Sequence, residues 1–216
     1  MVEKKVFASR EEWLQARNNR IGGSDAAAII GLNPYMSNVD LWEIKTGRNQ
    51  QEDISEKPYV KYGTEAEKYL RELFKLDHPE YEVEYQENNM FLNEAYPWAH
   101  ASLDGWLRDK DDHTGIWECK TTNVLNSHQK EKWDNRIPDN YYCQILHYFM
   151  VTEFDFSILK AQLKYDYGDD VMCVTKEYRI ERAEVEQDIR YLAEKEKEFW
   201  ECVREDQKPA LILPRI

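Results

Sequence analysis

Asp104, Glu118 and Lys120 are the residues whose types and spacing bear most directly on chemistry. An aspartate stands before a glycine, and beyond a polar turn a glutamate and a lysine flank one residue. Strand side chains alternate, so Ile116, Glu118 and Lys120 share one face while Trp117, Cys119 and Thr121 take the other. An antiparallel register that sets 104 opposite 118 brings all three polar groups together. Two carboxylates about 4 Å apart repel by ~1 kcal/mol in water and ~4 kcal/mol at an effective dielectric near 20. A Mg²⁺ or Mn²⁺ ion between them removes that conflict. Such an ion activates water and offsets charge on a phosphate oxygen, and Lys120 beside it can orient or deprotonate the water. The chemistry indicated is phosphodiester hydrolysis. On its own, the same pattern also describes an Asp-Gly turn followed by an exposed strand face.

Helical spacing is predicted over 9–18, and again from Ser24, read as an N-cap, until Gly31 and Pro34 stop it. Further helices are expected over 38–46 and 58–76. In the longer one Ala66, Tyr69, Leu70, Leu73 and Phe74 form the apolar stripe and Glu67 borders it. From 81 to 122 the period becomes two, giving strands near 82–92, 97–107 and 115–121, the last two a hairpin across RDKDDHTG. On the middle strand Trp98, His100, Ser102, Asp104 and Trp106 are expected on one face. A helix over 139–152, strands over 154–164 and 171–180, and an acidic helix over 182–205 complete the chain. The last carries an apolar stripe of Val185, Ile189, Leu192, Phe199 and Val203, its charged face solvated and remote from DNA. Helices thus open and close a mixed α/β (α+β) chain. It is read as one domain over 1–216, with its core at about 9–180.

The 216 residues include 29 Lys and Arg against 42 Asp and Glu, a net charge of −13, which excludes a protein that coats nucleic acid through a general basic surface. Any DNA contact must be local. No apolar run approaches the ~20 residues of a membrane span, and the first residues lack a secretion signal, so a soluble cytoplasmic protein is expected. Cys119, Cys143, Cys173 and Cys202 lie far apart and are read as reduced and mostly buried. With no second histidine at ligand spacing, His100 is read as a supporting or structural residue.

Six blocks in fixed order carry a resemblance: W13-L-Q-A-R17, I21-G-G-S-D-A-A, Y62-G-T-E-A-E67, S102-L-D104-G, W117-E-C-K120 and Q144-I-L-H-Y148. Together they resemble the YqaJ or lambda-exonuclease family of viral-type recombination nucleases, within the PD-(D/E)xK superfamily. The resemblance implies a restriction-endonuclease-like core, a central mixed sheet flanked by helices. It implies catalytic Glu67, Asp104, Glu118 and Lys120, with Glu67, Asp104, Glu118 and the Cys119 carbonyl around Mg²⁺ or Mn²⁺, as one ion or two. Gln144 and Tyr148, at i and i+4, resemble the QxxxY pair of related nucleases and are assigned to the site and to DNA contact. Arg17 and Ser24 match the family's pocket for a DNA 5′-phosphate, with simple helix capping as the alternative role of Ser24. Leu103 departs from the family pattern where proline is usual.

The function so implied is a Mg²⁺-dependent 5′-to-3′ exonuclease on double-stranded DNA ends. It would produce 3′ single strands for a single-strand-annealing recombinase, and the family resemblance suggests a homotrimer. The alternatives are an endonuclease of the same fold and a catalytically silent module that binds DNA ends.

Overall fold

A computed structural model describes residues 1–166 and 170–214. Its central strand, β5 (Thr114–Val124), pairs antiparallel with β4 (Gly105–Arg108) and parallel with β6 (Phe156–Asp166). Around it the five-stranded mixed sheet runs β2 (Glu82–Glu84), β4, β5, β6, β7 (Val171–Glu181). Strand alternation assigns its faces. Trp117 and Cys119 pack with Ala66, Leu70 and Phe74 of the helix α4 (Pro58–Asp77). Ile116 packs on the opposite side with Ile145, Leu146 and Phe149 of α6 (Asp139–Thr152), the crossover between the parallel strands.

Four further elements frame the α6 face. α1 (Arg10–Asn18) begins at Ser9, whose hydroxyl accepts the Glu12 N–H at 3.2 Å. α2 (Gly23–Ile29) buries Ala26, Ala27 and Ala28, small enough for close packing against α6. α3 (Asn38–Lys45) is closed at its start by a reciprocal Ser37–Asp40 capping box. α7 (Glu186–Arg204) packs on α6 through Ile189 and Leu192, sets Phe199 among Ala28, Leu41 and Trp42 of α2 and α3, and is the expected acidic helix.

The mixed α/β architecture and most helix positions follow the sequence reading, but several local expectations fail. The chain opens with a strand, β1 (Val2–Val6), whose charged residues hid it; it pairs with β3 (Asn89–Asn93) in a separate two-stranded sheet. The predicted strand over 82–92 is split between β2 and β3, on different sheets, because the chain turns at Asn88 with φ +55°. The strand predicted over 97–107 forms only from Gly105, while Ala99 and Ala101 make isolated bridges to Ile21 and Phe91. Trp98, His100, Ser102, Asp104 and Trp106 therefore do not share one strand face. Ser24 is not an N-cap: Gly22 holds that position, and Asp25 accepts its backbone N–H at 3.0 Å. A short helix, α5 (Ser127–Glu131), was not foreseen. Tyr69 and Leu73, expected in the stripe of α4, are exposed, and Arg71 is buried in their place. Cys119 and Cys143 are buried as expected, Cys202 is half-buried and Cys173 exposed.

Glu196 sits in the apolar stripe of α7 and meets His147 of α6, both 0% exposed, at 2.7 Å from its Nδ1. The other ring nitrogen, Nε2, donates to the His100 carbonyl at 2.8 Å. Burial pushes the imidazole pKa down, but the Glu196 charge and hydrogen bond overcome this and hold it above the ordinary value. The pair's contribution is therefore complete below about pH 6.5 and is lost as pH rises through the higher folded value. Glu196→Ala strands His147 and should cost about 3–5 kcal/mol in urea unfolding at pH 6, with a smaller difference from wild type at pH 9. Equal stability of the two proteins at pH 6 would contradict this coupling.

Candidate active site

The β4–β5 register pairs Gly105 with Trp117, which continues to 104 opposite 118, as the sequence analysis requires. Asp104, just before β4, accepts the Cys119 backbone N–H on Oδ2 at 3.0 Å. Glu118 is 1% exposed, and its Oε1 accepts from Lys120 Nζ at 2.6 Å and from Gln144 Nε2 at 2.9 Å. The same Gln144 amide bonds the Tyr148 hydroxyl at 2.7 Å, so both residues of the helical pair join the carboxylate cluster. Glu118 Oε2 is buried with no hydrogen-bond partner among the described residues. The Cys119 thiol lies in the core on the α4 side, which leaves only its backbone for the cluster.

Glu67 enters from α4, and the residue that holds it was missed in the sequence. Arg71, one turn on and buried, donates from Nη1 to Glu67 Oε1 at 2.9 Å and to the Asp104 carbonyl at 2.6 Å. Its guanidinium lies 3.7 Å from the Tyr85 ring centroid. The available signal was an arginine four residues after Glu67 inside an otherwise apolar stripe.

Burial, then the Asp104 charge, pushes the Glu118 carboxyl up to about 8. The same two causes in the same order raise Glu67 to about 7, against the opposing pull of Arg71. Asp104 is raised as well, chiefly by burial, with Lys120 opposing. Burial alone would lower Lys120, but Glu118 and Asp104 reverse this and hold it well above the ordinary lysine value. Lys120 is thus a firm cation, suited to orienting a water or phosphate oxygen rather than to taking a proton from it.

The donors on hand are hard carboxylate oxygens, the class that suits Mg²⁺ or Mn²⁺. Among the described residues no three His, Cys, Asp or Glu side chains already surround a common point at ligand spacing. They are engaged instead by Arg71, the Cys119 N–H, Lys120 and Gln144. An orphaned buried Glu118 oxygen among mutually raised carboxyls nevertheless fits a cation that draws Glu67, Asp104 and Glu118 together.

Arg17 and Ser24 line a separate cleft of about 810 Å³, with Arg10, Lys45 and His100. Arg17 stacks over Trp13 with its guanidinium carbon 4.3 Å from the ring centroid, and among the described residues it has no acidic partner. Lys45, in contrast, is neutralised by Asp25 at 2.8 Å and donates to the Arg20 carbonyl. The rim includes Glu52 and Asp53. Tyr148, assigned to DNA contact, is buried beneath α2 on the carboxylate side of the molecule.

Two consecutive glycines join cleft and cluster. A Cβ on Gly23 would stand 2.5 Å from Tyr148 and 2.9 Å from Gln144, and one on Gly22 would stand 2.9 Å from His100. The start of α2 thereby lies directly against both sites.

A carboxyl raised from 4.5 to about 8 is favoured in its neutral form, so its ionisation between those values draws stability down. In EDTA, the melting temperature should fall as pH rises from 5 to 9, and Glu118→Gln should flatten part of that fall. Parallel melting curves for variant and wild type would contradict the burial argument.

Comparison with known proteins places the chain. Residues 12–155 match the model of the YqaJ-like viral recombinase domain. The protein YqaJ of Bacillus subtilis (strain 168) is 34% identical over 152 residues, 70% of this chain and 45% of that protein. The chain therefore spans about half the length of the curated relative it matches. The crystal structure of the alkaline exonuclease LHK-Exo from Laribacter hongkongensis superposes with a TM-score of 0.55 at 19% identity, covering 91% of this chain and 97% of that one. A phage-related exonuclease from Haemophilus somnus 129PT gives a TM-score of 0.50 at 12% identity, over 87% and 96%. These likenesses show a fold shared with the alkaline exonuclease and the phage-related exonuclease. On the family match, the chain belongs to the YqaJ-like viral recombinase domain family.

Proposed function

We propose that this chain is a divalent-cation-dependent exonuclease that hydrolyses duplex DNA from 5′-phosphorylated ends. It would leave 3′ single strands for an annealing recombinase. The observation that carries the reading is Glu118, buried on the central strand, with one oxygen fixed by Lys120 and Gln144 and the other without a partner among the described residues. Family membership and the exonuclease fold support the same reading.

Asp104, Glu118 and Glu67, with the Cys119 carbonyl, would hold Mg²⁺ or Mn²⁺, which when bound would supply positive charge against the phosphate and lower the pKa of a water. Lys120 orients the attacking water by hydrogen bonding. Gln144, backed by Tyr148, and Lys120 keep the Glu118 carboxylate in one rotamer. Arg71 fixes Glu67 relative to the Asp104 backbone. Water adds to phosphorus and gives up a proton to solvent, the bond to the 3′ oxygen breaks, and that oxygen leaves with a proton from solvent.

Arg17 and Ser24 give the cleft its role. A guanidinium with no acidic partner among the described residues and a hydroxyl at the start of α2 suit a terminal phosphate. A net charge of −13 disfavours broad DNA contact, so recognition concentrates on this cleft.

Linear duplexes with and without 5′-phosphates, and a closed circle, should be incubated with Mg²⁺ or with EDTA. The expected result is Mg²⁺-dependent loss of the phosphorylated linear strand, with Lys120→Ala lowering kcat/KM by about 10²–10⁴. Cleavage of circles would turn the reading to an endonuclease. No cleavage of any substrate would turn it to a module that only binds DNA ends.

A further inference from the structure

His100 is 2% exposed, yet it lines the Arg17 cleft. Among the described residues neither of its ring nitrogens has a hydrogen-bond partner, and Nδ1 is fully buried. With Nδ1 sealed in the interior, a ligand in the cleft can reach the ring only at Nε2. Its backbone is fixed: the N–H donates to Ile21 O at 2.9 Å and the carbonyl accepts from His147 at 2.8 Å. The absence of a side chain at Gly22 makes room for the ring, since a Cβ there would lie 2.9 Å from Cε1 and 3.1 Å from Nε2.

The surroundings point to an anion. Burial, with Arg17, His147, Lys45 and Arg20 on the neighbouring elements, holds the imidazole neutral, so it offers one N–H donor without adding charge. Lys45 is already paired with Asp25, so the imidazole stands with Arg17, Arg10 and Ser24 as the groups the cleft offers a ligand. We infer that His100 is a direct contact to the 5′-terminal phosphate and helps the cleft tell a phosphorylated end from a hydroxyl end. The inference rests on the reading of this cleft as the end-binding pocket.

The test is fluorescence anisotropy in EDTA, so that binding is read without cleavage, on duplexes ending in 5′-phosphate or 5′-hydroxyl. The measured quantity is the ratio of the two dissociation constants for wild type, His100→Gln, His100→Phe and Gly22→Ala, each checked for folding by circular dichroism. A hydrogen bond to a charged group corresponds to about tenfold or more in affinity. His100→Phe should therefore lower the preference for phosphate by about that factor, and His100→Gln, which keeps a donor, should retain most of it. Gly22→Ala, which leaves the imidazole in the protein but displaces it, should reproduce the Phe result and serves if His100→Phe does not fold. An unchanged ratio in a folded His100→Phe or Gly22→Ala protein would overturn the role of His100 while leaving the pocket in place. A wild-type protein that binds both ends equally would overturn the pocket reading, and this inference with it.

Discussion

The contact between Lys120 and Glu118 is the constraint on which the rest of the structure depends. A lysine and a carboxyl stand two residues apart on one face of the central strand, where burial raises the Glu118 carboxyl to about 8 while Lys120 stays a cation. A buried ion pair of this kind is a weak source of stability, because desolvation offsets much of the Coulomb attraction. Its retention is better explained by what it arranges. Lys120 and Gln144 bind the same Glu118 oxygen, which leaves the other oxygen buried with no partner among the described residues. Strand, crossover helix and carboxylate are thereby fixed relative to one another.

The remaining elements bring further charge to that point. α4 delivers Glu67 and secures it with Arg71, which also grips the Asp104 carbonyl and so ties helix to sheet. The β4–β5 register sets Asp104 against the Cys119 N–H. α2 begins at two glycines because there is no space for side chains against Tyr148, Gln144 and His100. That lack of space is what lets the Arg17 cleft abut the carboxylate cluster. α7 supports the other end of the arrangement, since Glu196 holds His147, and His147 holds the His100 carbonyl.

Much of this was legible in the sequence where local pattern and long-range packing agree. The alternation around Glu118 gave the right faces, and the spacing of Gln144 and Tyr148 gave the right helix side, because the strand and helix there are long and regular. The reading failed where single residues override periodicity. Residues 97–104 alternate like a strand but run as a loop pinned by isolated bridges, so the predicted direction of His100 was wrong even though the register at Asp104 was right. Arg71, Glu196 and His147 were invisible as core residues because charge ordinarily marks a surface, and only tertiary pairing makes burial tolerable. Gly22 and Gly23 read as helix punctuation, whereas the packing shows them as points of close approach.

The central claim is that the carboxylate cluster is held partly protonated and in mutual conflict until a divalent cation relieves it. Titrating the cation-free protein with Mn²⁺ by calorimetry at pH 7, in buffers of different ionisation enthalpy, tests this directly by counting protons. With Glu118 raised to about 8 and Glu67 to about 7, binding should release protons, and Glu118→Gln should release fewer. Binding with no proton release, or no binding at millimolar Mn²⁺, would contradict the account.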